Sequence, residues 1–244
     1  MFPPGANWLV KWSMAGGAVL LLLVGTVAPA LYWGPMSTRL HVTRPQPIPF
    51  SHERHVAGNG IDCRYCHTTV ETGAFAGIPP TETCMTCHSQ VYVDQAMLQP
   101  VRDSWSTGKP LEWVRVNDLP DFVYFDHSIH ISRGVSCVTC HGRVDEMRLT
   151  RKEQTLRMGW CLNCHKNPEK FIRPHDKVFD MGWSWADVAA ANSSENTSHE
   201  ESAASDHATP SPSHSLSPRE QGLALVQENK IEVDQLMNCS ICHR

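Results

Sequence analysis

A chain of 244 residues has room for one or two ordinary domains, and a formal net charge of −4 gives it no electrostatic footprint for nucleic acid. Ten cysteines narrow the chemistry to a disulfide framework, a zinc site or a redox cofactor, so their spacing decides. The first element in chain order is an apolar run. Trp12 to Thr38 carries no charge, and Met14 to Leu31 is almost wholly apolar, close to the roughly 20 residues that cross a bilayer core. Trp8, Trp12, Tyr32 and Trp33 flank it where interfacial aromatics belong. Ala28-Pro29-Ala30 resembles a signal-peptide cleavage site. The apolar run is longer than a cleaved signal's usual core, however, so residues 1–38 read as a cytoplasmic tip and a retained transmembrane signal anchor.

Residues 39–191 form the next unit, and they hold eight of the ten cysteines. All ten fall into five Cys-x-x-Cys pairs, each followed at once by histidine: Cys63/Cys66/His67, Cys84/Cys87/His88, Cys137/Cys140/His141, Cys161/Cys164/His165 and Cys239/Cys242/His243. Disulfides do not require a histidine after each pair, and zinc ribbons do not need it five times. In Cys-x-x-Cys-His the two thiols add to haem vinyl groups and the adjacent imidazole becomes the proximal iron ligand, so five covalently bound haem c groups are expected. Such attachment occurs outside the cytoplasm, which places the chain in the inner (cytoplasmic) membrane as a single-pass protein with its haem domain on the periplasmic side.

The unit contains an internal repeat. Phe50-Ser51-His52-Glu53-Arg54-His55 precedes two motifs and Phe125-Asp126-His127-Ser128-Ile129-His130 precedes two more, a shared Phe-x-His-x-x-His pattern that predicts two dihaem modules at about 45–110 and 120–191. The last histidine lies 8 residues ahead of Cys63 in the first module and 7 ahead of Cys137 in the second. Each haem needs a sixth ligand if it is to carry electrons rather than bind substrate. Residues at i and i+3 of a helix project about 60° apart on one side, so one pair reaches two adjacent irons rather than both faces of one. His52, His55, His127 and His130 are therefore expected as distal ligands, the recurrence arguing against packing histidines. Candidates for the fifth distal position are Met158, Met181 and His175, with His41 weaker; a methionine there would raise that haem's potential.

Residues 192–218 turn abruptly to Ser, Glu, Asn, Thr and Pro and read as a disordered linker, whose His199, His207 and His214 are too irregularly spaced for a metal site. From Arg219 to Asn238, Leu223, Val226, Ile231 and Leu236 follow helical spacing, so residues 219–244 are expected to be a C-terminal helix delivering the fifth motif. Pro110 to Phe125 alternates enough to suggest a short hairpin or a subunit contact. Trp105, Trp113, Tyr124, Phe125, Trp160, Trp183 and Trp185 are expected along haem edges. The fold class is mainly α with little regular structure: one N-terminal transmembrane helix and a multihaem body whose core is largely haem.

The Phe-x-His-x-x-His plus Cys-x-x-Cys-His module resembles the small multihaem cytochromes of the c3 and c7 type. The stretches at 49–89, 113–144 and 158–174, with the terminal NCSICHR, resemble the pentahaem membrane-anchored cytochrome subunit of bacterial alternative complex III. That resemblance implies a quinol:acceptor oxidoreductase and three kinds of partner: an iron–sulfur molybdopterin-like large subunit, quinol-binding membrane subunits and a monohaem cytochrome c. The implied role is to relay electrons from quinol to a periplasmic carrier or terminal oxidase, without bond-making chemistry. A stand-alone membrane-anchored multihaem quinol dehydrogenase feeding a periplasmic reductase is the competing reading, although in that family the first motif follows the anchor more closely. A multihaem nitrite or hydroxylamine-type catalyst needs an exchangeable iron site, against which the ample supply of distal histidines argues.

Overall fold

The computed structural model describes residues 3, 5–188, 190 and 216–243. Most of the expected linker, with His199, His207 and His214, lies outside these residues. Among the described residues the chain is helical without a single strand; isolated bridges such as Val135 with Ile172 are its only β pairing.

Helix α1 (Ala6–Trp33, 28 residues) is long and apolar enough to cross a membrane, and none of its residues is buried by the rest of the chain. At 1.5 Å per residue it spans about 42 Å, enough for a bilayer core and both interfaces. After the short α2 (Pro35–Thr38) the chain is tied to the body. Leu40 and Thr43 bridge to Lys152 and Arg151, and the His41 amide donates to the Lys152 carbonyl at 2.8 Å.

Each cysteine motif sits on a short helix: α3 (Cys63–Cys66), α4 (Thr81–His88), α7 (Cys137–His141), α8 (Met158–Lys166) and α10 (Cys239–Cys242). One helical turn puts cysteines i and i+3 on the same side, as double attachment to a flat ring requires. Between them lie α5 (Gln99–Thr107), α6 (His127–Ser132) and α9 (Pro218–Glu228).

The extra residue between His55 and Cys63 has a structural outcome. In the second module His130 lies on an ordinary α-helical turn, whereas Glu53–Gly58 forms a π-helical turn that holds one residue more. The carbonyl of the second histidine then reaches the same place in both: Ile61 N donates to His55 O at 3.1 Å and Val135 N to His130 O at 2.9 Å, each donor two residues ahead of its cysteine.

Apolar burial within the polypeptide is sparse. The buried aliphatic side chains among the described residues are Ile48, Val70, Val101, Ile131, Val135, Met147, Ile172, Val178 and Met181. Two sequence expectations differ from the fold. Residues 110–125 form no hairpin; Pro110 and Pro120 cannot donate to a ladder, and the segment runs as an irregular strap. The Gln46 side chain clamps both the amide and the carbonyl of Val114 (2.9 and 2.8 Å), and Arg44 donates to the Arg115 carbonyl at 2.8 Å. The C-terminal helix stops at Glu228, ten residues short of Asn238. Asn229 caps it and Lys230 turns left-handed at φ 51°, after which only a turn at Gln235–Met237 precedes α10.

Gly134 closes the turn between α6 and the third motif at φ 82°, where an added Cβ would lie 2.5 Å from the Arg173 carbonyl oxygen. Gly134→Ala is expected to cost about 2–4 kcal/mol, from backbone strain plus overpacking, seen as a lowered Tm with unchanged haem content.

Candidate functional site

The two Phe-x-His-x-x-His segments superpose in their contacts. Phe50 stacks on His55 (centroids 4.4 Å, interplanar angle 24°) and meets His52 edge-on (4.9 Å, 86°). Phe125 does the same to His130 (4.5 Å, 25°) and His127 (4.8 Å, 89°). The phenylalanine therefore sets the plane of both imidazoles. The intervening residue serves both as well. Asp126 caps α6 by accepting from the Ser128 amide at 2.8 Å, and its carbonyl holds His130 Nδ1 at 2.6 Å. Ser51 Oγ accepts from the Arg54 amide at 3.3 Å, and its carbonyl holds His55 Nδ1 at 2.8 Å.

These imidazoles face the motif histidines of their own module. His55 lies opposite His88 with ring centroids 6.1 Å apart, His127 opposite His141 at 6.5 Å and His130 opposite His165 at 6.4 Å. His52 is beside His67, which acts on its titration after burial itself. Two metal–imidazole bonds of about 2.0 Å, plus the distance from each nitrogen to its ring centre, place such centroids about 6.3 Å apart. These three separations thus fit one iron between the imidazoles of each of those pairs. In both modules the first histidine of the pair faces the first motif and the second faces the second.

All nine imidazoles have Nδ1 engaged, leaving Nε2 for a metal. His67 Nδ1 lies 2.6 Å from the Gly77 carbonyl, His88 3.1 Å from Val91, His165 3.1 Å from Leu236 and His243 3.1 Å from Phe122. His127 Nδ1 is 2.8 Å from the Ala74 carbonyl, and His52 Nδ1 is 3.1 Å from Thr150 Oγ1. The modules therefore exchange supports, since Ala74 of the first holds His127 of the second and Thr150 of the second holds His52 of the first. His141 Nδ1 lies 3.0 Å from Asn117 Nδ2. Burial pushes His52 and His141 down to about 4 and lowers His130, keeping each neutral at pH 7, the form that ligates iron.

None of the ten cysteines is disulfide-bonded, and among the described residues no group of three or more Cys, His, Asp or Glu side chains forms a metal-binding cluster of the zinc type. The motifs are neighbours in a series. Tyr65 Oη and Thr86 Oγ1 join the first to the second at 2.8 Å. The Cys63 and Cys137 thiols act on each other's titration, lowering Cys63 and raising Cys137, which sets the first beside the third. Burial, then Cys164 and Cys161, raises Cys140, so the third adjoins the fourth. Burial, then Cys242, raises Cys161, and Leu236 supports His165, so the fourth adjoins the fifth. Arg157, at the start of α8, donates to the Tyr32 carbonyl at 2.8 Å and lies 4.4 Å over the Tyr32 ring, tying the fourth motif to the anchor.

Cys87 and Cys239 stand apart from the other cysteines in exposure. Both are exposed, whereas the other eight cysteines are half-buried. The difference has a physical reason in the series. The second and fifth motifs are its two ends, each with a neighbouring motif on one side only, so one thiol of each end faces outward. Cys87 lies on the last turn of α4, and the Thr86 hydroxyl donates to its Sγ at 3.9 Å. Its partner Cys84 is more enclosed, and burial raises that thiol.

The fifth-ligand candidates differ in placement. Met181 is buried, and His175 Nε2 is taken by Asn229 Oδ1 at 2.8 Å. Met158 is 68% exposed, one turn ahead of Cys161 on α8. The side chains of Trp160, Trp183 and Trp185 line a cavity of about 340 Å³ beside Val138 and Thr139 of α7, whereas Trp105 and Tyr124 are more than half exposed. Sequence reading missed Asn117, Thr150 and the supporting carbonyls. Only the conspicuous Phe of the repeat signalled a second layer behind the histidines.

Repeated Cys-x-x-Cys-His motifs, with imidazole pairs spaced for iron, define a multihaem c-type cytochrome. No protein-family model matches the chain. It is 33% identical over 173 residues to the menaquinone reductase multihaem cytochrome c subunit of Nitratidesulfovibrio vulgaris (strain Hildenborough), an alignment covering 62% of this chain and 82% of that relative. The chain belongs to this family of multihaem cytochrome c subunits of quinone-linked oxidoreductases.

Proposed function

We propose that this chain is the pentahaem electron-transfer subunit of a membrane quinol:acceptor oxidoreductase of the alternative complex III kind. The observation that carries the reading is the register of the imidazole pairs with the repeat. Haem supplies one-electron exchange between ferric and ferrous iron; the chain supplies attachment, ligation and spacing. Cys63/Cys66, Cys84/Cys87, Cys137/Cys140, Cys161/Cys164 and Cys239/Cys242 are the covalent tethers. His67, His88, His141, His165 and His243 are the proximal ligands, with His52, His55, His127 and His130 opposite the first four in that order. Met158 is the best-placed fifth distal ligand, being exposed beside Cys161, the neighbour of Cys242. The motifs run second, first, third, fourth, fifth, which suits a relay with partners at its two ends, where Cys87 and Cys239 are exposed.

In this reading α1 lies in the inner membrane and the body on its periplasmic side, where Arg157 holds the fourth motif against the anchor. Partners are the iron–sulfur molybdopterin-like large subunit, quinol-binding membrane subunits and a monohaem cytochrome c. The relative's name, menaquinone reductase, favours a second reading in which the same relay delivers electrons to quinone.

Purified from membranes, the chain is expected to show five haem additions by intact mass and to co-purify with those partners. Fewer additions would overturn the haem count, and isolation as a single active chain would favour the stand-alone dehydrogenase. Menaquinol added to the purified complex should reduce the haems in milliseconds to seconds. If only the acceptor side reduces them and quinone then reoxidises them, flow runs toward quinone.

A further inference from the structure

Seven of the nine engaged Nδ1 atoms meet backbone carbonyls, which no substitution can alter directly. Among the proximal histidines His141 alone meets a side chain, Asn117, and the third motif is the middle member of the series. We propose that Asn117 is a positioning residue for the central haem, acting through His141 to set that centre's potential. The inference rests on the reading that His141 ligates iron.

Ligation through Nε2 requires its lone pair to be free, so the ring proton must sit on Nδ1 and must be donated. The amide of Asn117 supplies the acceptor when its oxygen is the atom turned to the ring. That oxygen is the one otherwise shut off from solvent without a hydrogen-bond partner, and a half-turn of the amide gives it its donor. The strap that carries Asn117 is fixed for the purpose. Gln46 grips Val114 through both backbone groups and Arg44 grips Arg115, so the segment leading away from the anchor holds the loop that holds His141. An acceptor on Nδ1–H makes the imidazole a stronger electron donor and favours ferric iron; an anionic acceptor does so more, and none at all does so less.

The test compares Asn117→Asp, Asn117→Leu and Asn117→Ser in the purified complex, by redox potentiometry followed optically and by electron paramagnetic resonance. Asn117→Asp is expected to lower one of the five midpoint potentials and shift the g-values of one low-spin centre, the other four holding and all haems remaining attached. Asn117→Leu should raise that same potential, and Asn117→Ser, whose hydroxyl can accept, should return it toward the original value. Five unaltered potentials and an unaltered spectrum in both the Asp and Leu variants would overturn the proposal. Should the Leu variant fail to fold, the isosteric Asp variant decides alone. Failure of the underlying ligation reading looks different: a His141→Ala chain would then retain the same five low-spin signals.

Discussion

Replacing His127 by methionine is expected to raise the potential of a single haem, the one tethered at Cys137 and Cys140, while covalent haem content stays unchanged. The tethers do not involve His127, so attachment is indifferent to it. The imidazole faces His141 across 6.5 Å, is set edge-on by Phe125 and has Nδ1 on the Ala74 carbonyl. A thioether in its place donates less to ferric iron, and His/Met pairs sit at higher potential than bis-His ones. A rise on the order of 100–200 mV is expected, a fraction of the roughly 0.8 V over which axial ligands tune haem. Redox potentiometry with resolved components measures it. The companion change His130→Met should move a different component, the haem at Cys161 and Cys164. If both variants moved the same component, the assignment of one histidine to each motif would be wrong. Because the third motif adjoins both the first and the fourth, a raised potential there makes a trap in mid-series and should slow reduction beyond it.

What was legible in the sequence follows from which constraints act locally. Thioether attachment needs two cysteines and a histidine on one turn, so the expected chemistry is written at fixed spacing. The enclosure of those cysteines is not local, and the outward-facing Cys87 carries no mark in sequence that sets it apart from Cys84. The repeat was legible because one helical turn fixes how far apart His127 and His130 point. Even the extra residue in the first module was visible, although its accommodation by a π-helical turn was not. The supports behind the histidines were not readable, because they are made by chain segments far apart in sequence. Thr150 is 98 residues from His52 and Ala74 is 53 from His127. Backbone carbonyls carry no residue signature, and Asn117 lay in a stretch whose alternation suggested a hairpin.

The sparse aliphatic core has the same origin. Few aliphatic side chains are fully buried among the described residues, and Trp160, Trp183 and Trp185 line a cavity beside α7. Interiors pack to a density near that of organic crystals, so a chain of this kind needs its porphyrins as core material. In the proposed pentahaem chain, folding and haem loading are then coupled.

The end of the C-terminal helix shows tertiary contact overriding local pattern, and it sets the last expected result. Periodicity through Leu236 favoured a continuous helix, but Asn229 is claimed from several sides. Its carbonyl accepts from Arg133, its Oδ1 meets His175 Nε2, and its own amide nitrogen returns to the Leu225 carbonyl. The helix starts with a capping box between Ser217 and Glu220, and its middle presses Gly222 onto the turn at Pro168–Lys170. A Cβ on Gly222 would fall directly on the carbonyl oxygen of Glu169, which is backbone and cannot swing aside. Gly222→Ala is therefore expected to cost about 1–3 kcal/mol of docking energy by overpacking. At about 2 kcal/mol the undocked fraction rises roughly thirty-fold. Residues 216–243 should become protease-sensitive, and the fifth haem should exchange electrons with the rest more slowly. The haem at Cys161 and Cys164 should rise in potential as the released segment takes the Leu236 carbonyl away from His165 Nδ1, and the other three potentials should stay in place. Limited proteolysis with mass readout and stopped-flow reduction measure the two effects. Undiminished protection of the C-terminal segment in Gly222→Ala would show that α9 is not what seats the fifth motif against the fourth.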